Sequence, residues 1–156
     1  MQGLGAAAQS GQKPLSEIVR NSSKSSKYAE LLERMCTYFQ PEYLIEIGSA
    51  AGISTMYQAL ALPNGQIHAL EGNAGLVKVM RHNLEQMGLQ NIVVHEGLFS
   101  QTLPVVLNEL PRVDYVFFDG DHSLQSTLTY FESCLQKAHC QQFPLKHCEL
   151  RPLDNE

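Results

Sequence analysis

Apolar and polar positions along this chain change period several times, and each change marks an element. From Ser26, a good N-cap residue, Tyr28, Leu31, Leu32, Met35 and Tyr38/Phe39 recur at helical spacing until Pro41 stops them. Tyr43-Leu44-Ile45-Glu46-Ile47 follows as a short apolar run that ends at Gly48. A helix over 54–61 is closed by the turn Pro63-Asn64-Gly65. The run 67–70 predicts a second strand, and 76–87 a helix with Gly88 as its C-terminal stop. Residues 92–94 predict a third strand, followed by a helix with Pro104 in its first turn that runs through Leu110. Residues 113–118 predict a fourth strand, after which Leu124, Leu128, Phe131 and Leu135 mark one face of a last helix.

Strand and helix thus alternate four times with short connections. That order predicts an α/β fold, a Rossmann-like doubly wound parallel sheet with right-handed helical crossovers. The strands are nearly continuous apolar runs, as strands covered on both faces must be. Residues 1–26 are rich in Gly, Ala, Ser and Gln and read as an N-terminal arm, with one short helical turn at 15–20. Residues 27–140 form the expected domain, and 141–156 an atypical C-terminal tail.

Composition narrows the function classes. At 156 residues, 44% hydrophobic and 17% charged, the chain has the profile of one globular domain, and no apolar stretch approaches a membrane span. The net charge of -5 disfavours nucleic acid as a partner, because phosphate neutralisation requires surplus Lys and Arg. The local surplus in the arm (Lys13, Arg20, Lys24 and Lys27 against Glu17) reads as a solvated cluster. The first residues show neither a basic n-region nor an apolar h-region. Cys36, Cys134, Cys140 and Cys148 form no regular framework, so reduced thiols and a cytoplasmic setting are expected.

In an open α/β sheet, ligands sit beyond the carboxyl ends of the strands. The informative residues are therefore those that follow each apolar run. The first run leads into Glu46-Ile47-Gly48-Ser49-Ala50-Ala51-Gly52-Ile53-Ser54-Thr55, where two glycines allow close approach of backbone to ligand before a helix N-terminus. Glu71 ends the second strand, where an acidic side chain can hold ribose hydroxyls. Glu96-Gly97 ends the third, and Asp119-Gly120-Asp121-His122 the fourth. The dinucleotide pattern G-x-G-x-x-G is missing, since Ala50 stands at its second glycine, and so is the P-loop. The remaining candidate is an adenosyl ligand that needs no pyrophosphate cradle.

Glu46-x-Gly48-x-x-x-Gly52, Glu71 and Phe118-Asp119-Gly120-Asp121-His122 resemble a class I S-adenosylmethionine-dependent methyltransferase. The chain is most similar to the small O-methyltransferase-like branch, whose first motif reads E-[IL]-G-x-x-x-G-x-S-T and whose fourth strand ends F-D-G-[DN]-H. The resemblance covers about residues 13–140. It implies S-adenosyl-L-methionine as cofactor, with Gly48 and Gly52 lining its methionine moiety and Glu46 and Ser49 among the cofactor-binding residues. By the same resemblance Glu71 takes the ribose, Glu96, Gly97 and Leu98 border the adenine, and Asp119 faces the sulfonium end. Asp121 and His122 then fall beside a small-molecule hydroxyl acceptor as the candidate catalytic residues. Methyl transfer from a sulfonium neutralises charge, so catalysis rests mainly on alignment, which supplies roughly 7–11 kcal/mol. A hydroxyl acceptor must also lose a proton, and histidine suits a general base. Metal-assisted relatives carry Lys at this position, so no metal is expected here.

Other readings stand beside these. His122 can instead cap the last helix. His139-Cys140 and His147-Cys148 match no zinc spacing. A dinucleotide-dependent oxidoreductase and a non-catalytic adenosyl-binding or interaction module are the alternative functions. The second of these draws on the tail: after Cys140, where the family continues with a fifth apolar strand, the chain reads Gln141-Gln142-Phe143-Pro144-Leu145-Lys146. The fourth strand is then expected to form an apolar edge guarded only by Asp114, and a homo-oligomer is the expected way to cover it.

Overall fold

A computed structural model describes residues 26–138. The arm, its turn at 15–20, the tail and both His-Cys steps lie outside the described residues. The elements run α1 (Ser26–Phe39), β1 (Tyr43–Ile47), α2 (Ile53–Ala61), β2 (Gln66–Glu71), α3 (Ala74–Gln86), β3 (Ile92–Glu96), α4 (Phe99–Glu109), β4 (Tyr115–Phe118) and α5 (Leu124–Leu135). All strand pairings are parallel, in the order β3-β2-β1-β4. The reversal of order between β1 and β4 is the switch point at which open α/β sheets bind ligands.

Helices cover both faces. On one, Leu44, Ile67 and Tyr115 pack with Cys36 of α1 and Ala59 of α2, and Ala69 and Val94 pack with Val77, Met80 and Leu84 of α3. On the other, Ile45, Ile47, Leu70, Val116 and Phe118 meet Leu103, Val106 and Leu107 of α4 and Tyr130 and Cys134 of α5. The central strands β1 and β2 are buried almost throughout, whereas β3 and β4 are only partly covered.

Several details differ from the sequence pattern. The buried stripe of α1 is Ala29, Leu32 and Cys36, while Tyr28, Leu31 and Tyr38 (82% exposed) face outward. A helix with apolar residues on more than half its circumference can bury only the side that meets its neighbour, here α2. Met87 is likewise 54% exposed, whereas Met80 is in the core. Pro104 lies mid-helix rather than in the first turn, because α4 starts at Phe99 once the N–H groups of Gln101 and Thr102 find the Leu98 carbonyl. Val113 is separated from β4 by a bend at Asp114. The Asp114 carboxylate accepts from the N–H groups of Glu42 (3.1 Å) and Tyr43 (3.0 Å) and pairs with Arg112. Asp114 therefore clasps the start of β1 and does not guard the side of β4 that faces away from β1.

Candidate functional site

Parallel strands bring their carboxyl ends to one side of the sheet, and the β1–α2 loop crosses that side. Its backbone is fastened to β2: the N–H groups of Gly48 (2.9 Å) and Ser49 (3.1 Å) and the Ser49 hydroxyl (3.2 Å) all donate to the Leu70 carbonyl. The chain then turns back, with the Gly52 N–H on the Ser49 carbonyl at 2.8 Å. Two positions require glycine. Gly48 has φ +92, and a Cβ there would stand 2.7 Å from the Asp119 carbonyl and from the Gly120 Cα. Gly52 has φ +83, and its Cβ would meet Met80 at 2.6 Å. The first therefore lets the ends of β1 and β4 touch, and the second seats α2 against α3. Gly52 also starts α2 without a side-chain cap, so the positive end of the helix dipole is left for an anionic group.

Glu71 is buried at the end of β2 and joins two loops. One carboxylate oxygen accepts from the Ala50 N–H at 2.8 Å and the other from the Asn73 N–H at 2.8 Å. Ala50 adopts φ 48 to make that contact, an uncommon conformation for a residue with a side chain. Asn73 also caps α3 through the N–H groups of Gly75 and Leu76. Burial raises the Glu71 pKa, while the N–H groups of Asn73, Ala50 and Gly72 pull it back. An ionised carboxylate offers about four acceptor sites, so this one keeps capacity for the hydroxyls of a diol.

Glu46 lies deeper, within β1 and beneath the loop, and is fully buried. Ser54 and Thr55 of α2 donate to its two oxygens at 2.5 Å each. Burial pushes its pKa up to about 7 against the pull of those hydroxyls, and the nearby Asp119 carboxylate pushes the same way. The buried Gln58 amide lies against this group and also pulls its pKa down. Glu46 thus supports the loop from below.

The other strand ends close the site. The Gly97 N–H donates to the Glu71 carbonyl at 3.0 Å, which places Gly97 and the partly exposed Leu98 beside it. The Asp119 N–H donates to the Ile47 carbonyl at 2.8 Å. Asp121 is buried at φ 48, and the Tyr130 hydroxyl donates to its carboxylate at 3.4 Å. His122 is exposed, and Ser123, not His122, caps α5 by accepting from the Ser126 N–H at 3.2 Å. The cap reading of His122 is thereby corrected: the Ser123 hydroxyl already takes that position.

Gly48, Ser49, Gly52, Glu71, Gly97, Leu98 and Asp119 therefore lie at the carboxyl-end side of the sheet, with Glu46 beneath the β1–α2 loop and Asp121-His122 following the end of β4. Ala50, Ser54 and Thr55, which hold these residues in place, stand in the first motif of the sequence reading without an assigned role, and Asn73 and Tyr130 are absent from it. Asn73 carried a usable signal, as an N-cap type ahead of an apolar-periodic run.

A family model described as a methyltransferase domain matches residues 45–140, which is more than half of the chain. The chain belongs to the methyltransferase-domain family. A catechol O-methyltransferase of Niastella koreensis is 32% identical over 103 residues, 64% of this methyltransferase domain chain and 45% of the relative. A probable cobalt-precorrin-6B C(15)-methyltransferase of Sulfurisphaera tokodaii is 31% identical over 58% of this chain and 46% of its own length. The chain thus spans less than half the length of the curated relatives it matches. Among solved structures, the Bacillus cereus O-methyltransferase in complex with SAH superposes with a TM-score of 0.71 at 23% identity, over 85% of this chain and 66% of that one. The Streptomyces achromogenes O-methyltransferase of tomaymycin synthesis, in complex with SAM, gives 0.70 at 22% over 85% and 65%. At these identities the superpositions establish the α/β methyltransferase fold. Among the described residues no helix is long and apolar enough to cross a membrane.

Proposed function

We propose that this chain binds S-adenosyl-L-methionine at the carboxyl ends of β1–β4 and takes part in methyl transfer to a hydroxyl of a small molecule. The observation that carries the reading is the buried Glu71 carboxylate, held by one N–H from each of two loops and keeping acceptor capacity toward the cleft. The cofactor class of the two solved relatives and the acceptor class of the catechol O-methyltransferase support it.

In this reading Glu71 takes the ribose diol, the Gly48-Ser49 backbone, its N–H groups already held by the Leu70 carbonyl, borders the methionine moiety, and the uncapped start of α2 takes the methionine carboxylate. Gly97 and Leu98 border the base. When bound, the cofactor supplies a methyl group made electrophilic by its sulfonium. Alignment by the loop, which is fixed to Leu70 and Glu71, is then the chief contribution of the protein. Asp119 offers negative charge near the sulfonium end. His122 accepts the hydroxyl proton, and the Tyr130–Asp121 contact fixes the turn that carries it. The free, buried thiols of Cys36 and Cys134, with pKa values pushed to about 12 and about 11, fit a reducing cytoplasmic setting. The net charge of -5 fits a small-molecule rather than a nucleic-acid substrate.

Thermal shift with S-adenosylhomocysteine against NAD(H) tests the cofactor assignment. Ligand at 100 times Kd stabilises by about 2.7 kcal/mol, or roughly 5–10 °C for a domain of this size. A shift with S-adenosylhomocysteine alone supports the reading. A shift with NAD(H) alone returns the oxidoreductase reading, and no shift with either in a folded chain removes the adenosyl site.

A further inference from the structure

Two histidines interrupt the apolar runs of β2 and β3, and the fold brings them together. In the parallel register His68 lies opposite Val93 and His95 opposite Leu70. The two are therefore diagonal neighbours on the face that carries Leu70 and is covered by α4. His68 Nδ1 and His95 Nε2 are 3.0 Å apart, with the rings within 13° of parallel. His68 is 4% exposed and His95 is half-buried.

Proton counting fixes what this contact can be. Two facing ring nitrogens have room for one proton, donated by one ring and accepted by the other. The second nitrogen of His68, Nε2, is buried without a hydrogen-bond partner among the described residues. A proton there is a stranded donor, so the neutral pair carries its shared proton on His68 Nδ1 and donates it to His95 Nε2. A further proton has no good place. It must go onto His95 Nε2, where it faces the Nδ1 proton, or onto His68 Nε2, where it is stranded, and either leaves a charge in a buried site.

The surroundings offset little of that cost. Glu109 is the one charged side chain of α4, and it favours a charge on His95, but burial outweighs it and the His95 pKa is lowered. Burial, and then His95, bring His68 down to about 4. Glu71 and Glu96, one place beyond Leu70 and His95, alternate to the opposite face, as does Glu46 of β1 beside Ala69. The position of the pair gives it a consequence. Among the described residues β3 is an outer strand with β2 as its one neighbour, and it leads into Gly97, whose N–H holds the Glu71 carbonyl. We propose that the His68–His95 contact is a proton-operated latch: the neutral pair fastens the outer strand β3 to β2, and a further proton releases it. This inference concerns the sheet and is independent of the cofactor assignment.

Hydrogen exchange of the full chain between pH 7.5 and 4.5, read as protection relative to the intrinsic rate, is the test. A ring held at about 4 when buried and at 6.5 when released keeps its stabilising effect above pH 6.5 and loses it as pH falls toward 4. The expected result is β3 protection that falls at least tenfold from pH 7.5 to 4.5 while β1 stays protected. The double variant His68→Leu/His95→Leu removes both partners and leaves neither unpaired, so it should abolish that fall. An equal fall in the folded double variant overturns the proposal. So does wild-type β3 protection that is constant over this range, or that is lost only together with β1. Should the double variant not fold, nitrogen-15 NMR of the wild-type imidazoles decides. His68 protonated on Nδ1 and uncharged at pH 5.5 supports the latch, and two rings that titrate independently near 6.5 overturn it.

Discussion

Glu46→Gln tests the buried support of the cofactor loop. The folded chain holds the Glu46 carboxyl at about 7 against an ordinary value of 4.5, chiefly because burial penalises the ionised form. At about 1.4 kcal/mol per unit, that difference amounts to roughly 3 kcal/mol of stability. Because the folded pKa lies above the unfolded one, the folded state binds the proton more tightly between pH 4.5 and 7. The contribution of Glu46 to stability is therefore complete below about pH 4.5 and is lost as pH rises to about 7. His68 acts with the opposite sign, since burial and the adjacent His95 lower it to about 4, so its neutral form stabilises as pH rises toward 6.5. Subtracting the Glu46→Gln profile from wild type cancels His68 and isolates the carboxyl. Gln keeps an acceptor for Ser54 or Thr55 and removes the charge. Urea unfolding at intervals from pH 4.5 to 8 should show wild type losing about 3 kcal/mol relative to Glu46→Gln over that range, a relative midpoint shift of about 1–2 M at ordinary m-values. A difference that is flat, or that rises with pH, refutes the assignment of a buried carboxyl that ionises at a cost.

Two further substitutions probe the cleft. Gly48→Ala places a Cβ 2.7 Å from the Asp119 and Gly120 backbone at φ +92, so overpacking and left-handed strain should together cost about 2–5 kcal/mol in chemical denaturation; a loss below about 1 kcal/mol would show that the β1 and β4 ends do not touch. His122→Ala should lower turnover of an accepted hydroxyl substrate by about 10²–10⁴-fold with unchanged S-adenosylhomocysteine affinity, and an unchanged rate removes His122 from proton transfer.

Much of this was legible in the residues because parallel sheets impose a simple code. Apolar runs ending in Gly or an acidic residue located all four strands, and parallel pairing then had to bring Gly48, Glu71, Gly97 and Asp119 to one side. Glu46 stood out as a carboxylate within an apolar run, but its partners Ser54 and Thr55 come from a helix whose rotation no pattern specifies. The strained Ala50 was invisible, since its φ is set by the Glu71 carboxylate 21 positions away rather than by its neighbours. The faces of α1 and α5 were read only as apolar. Whether such a face turns inward depends on which element arrives to cover it, as the exposed Tyr38 and Leu124 show.

Calorimetric titration with S-adenosylhomocysteine, run on wild type and on Glu71→Ala, bears most directly on the proposed cofactor site. A hydrogen bond to a charged carboxylate is worth about 1.5–3 kcal/mol. Wild type should bind at a single site, and Glu71→Ala should bind roughly 10- to 100-fold more weakly while remaining folded by circular dichroism. Equal affinity in the two chains would contradict the placement of the ribose at Glu71, and no binding by a folded wild type would contradict the adenosyl site itself.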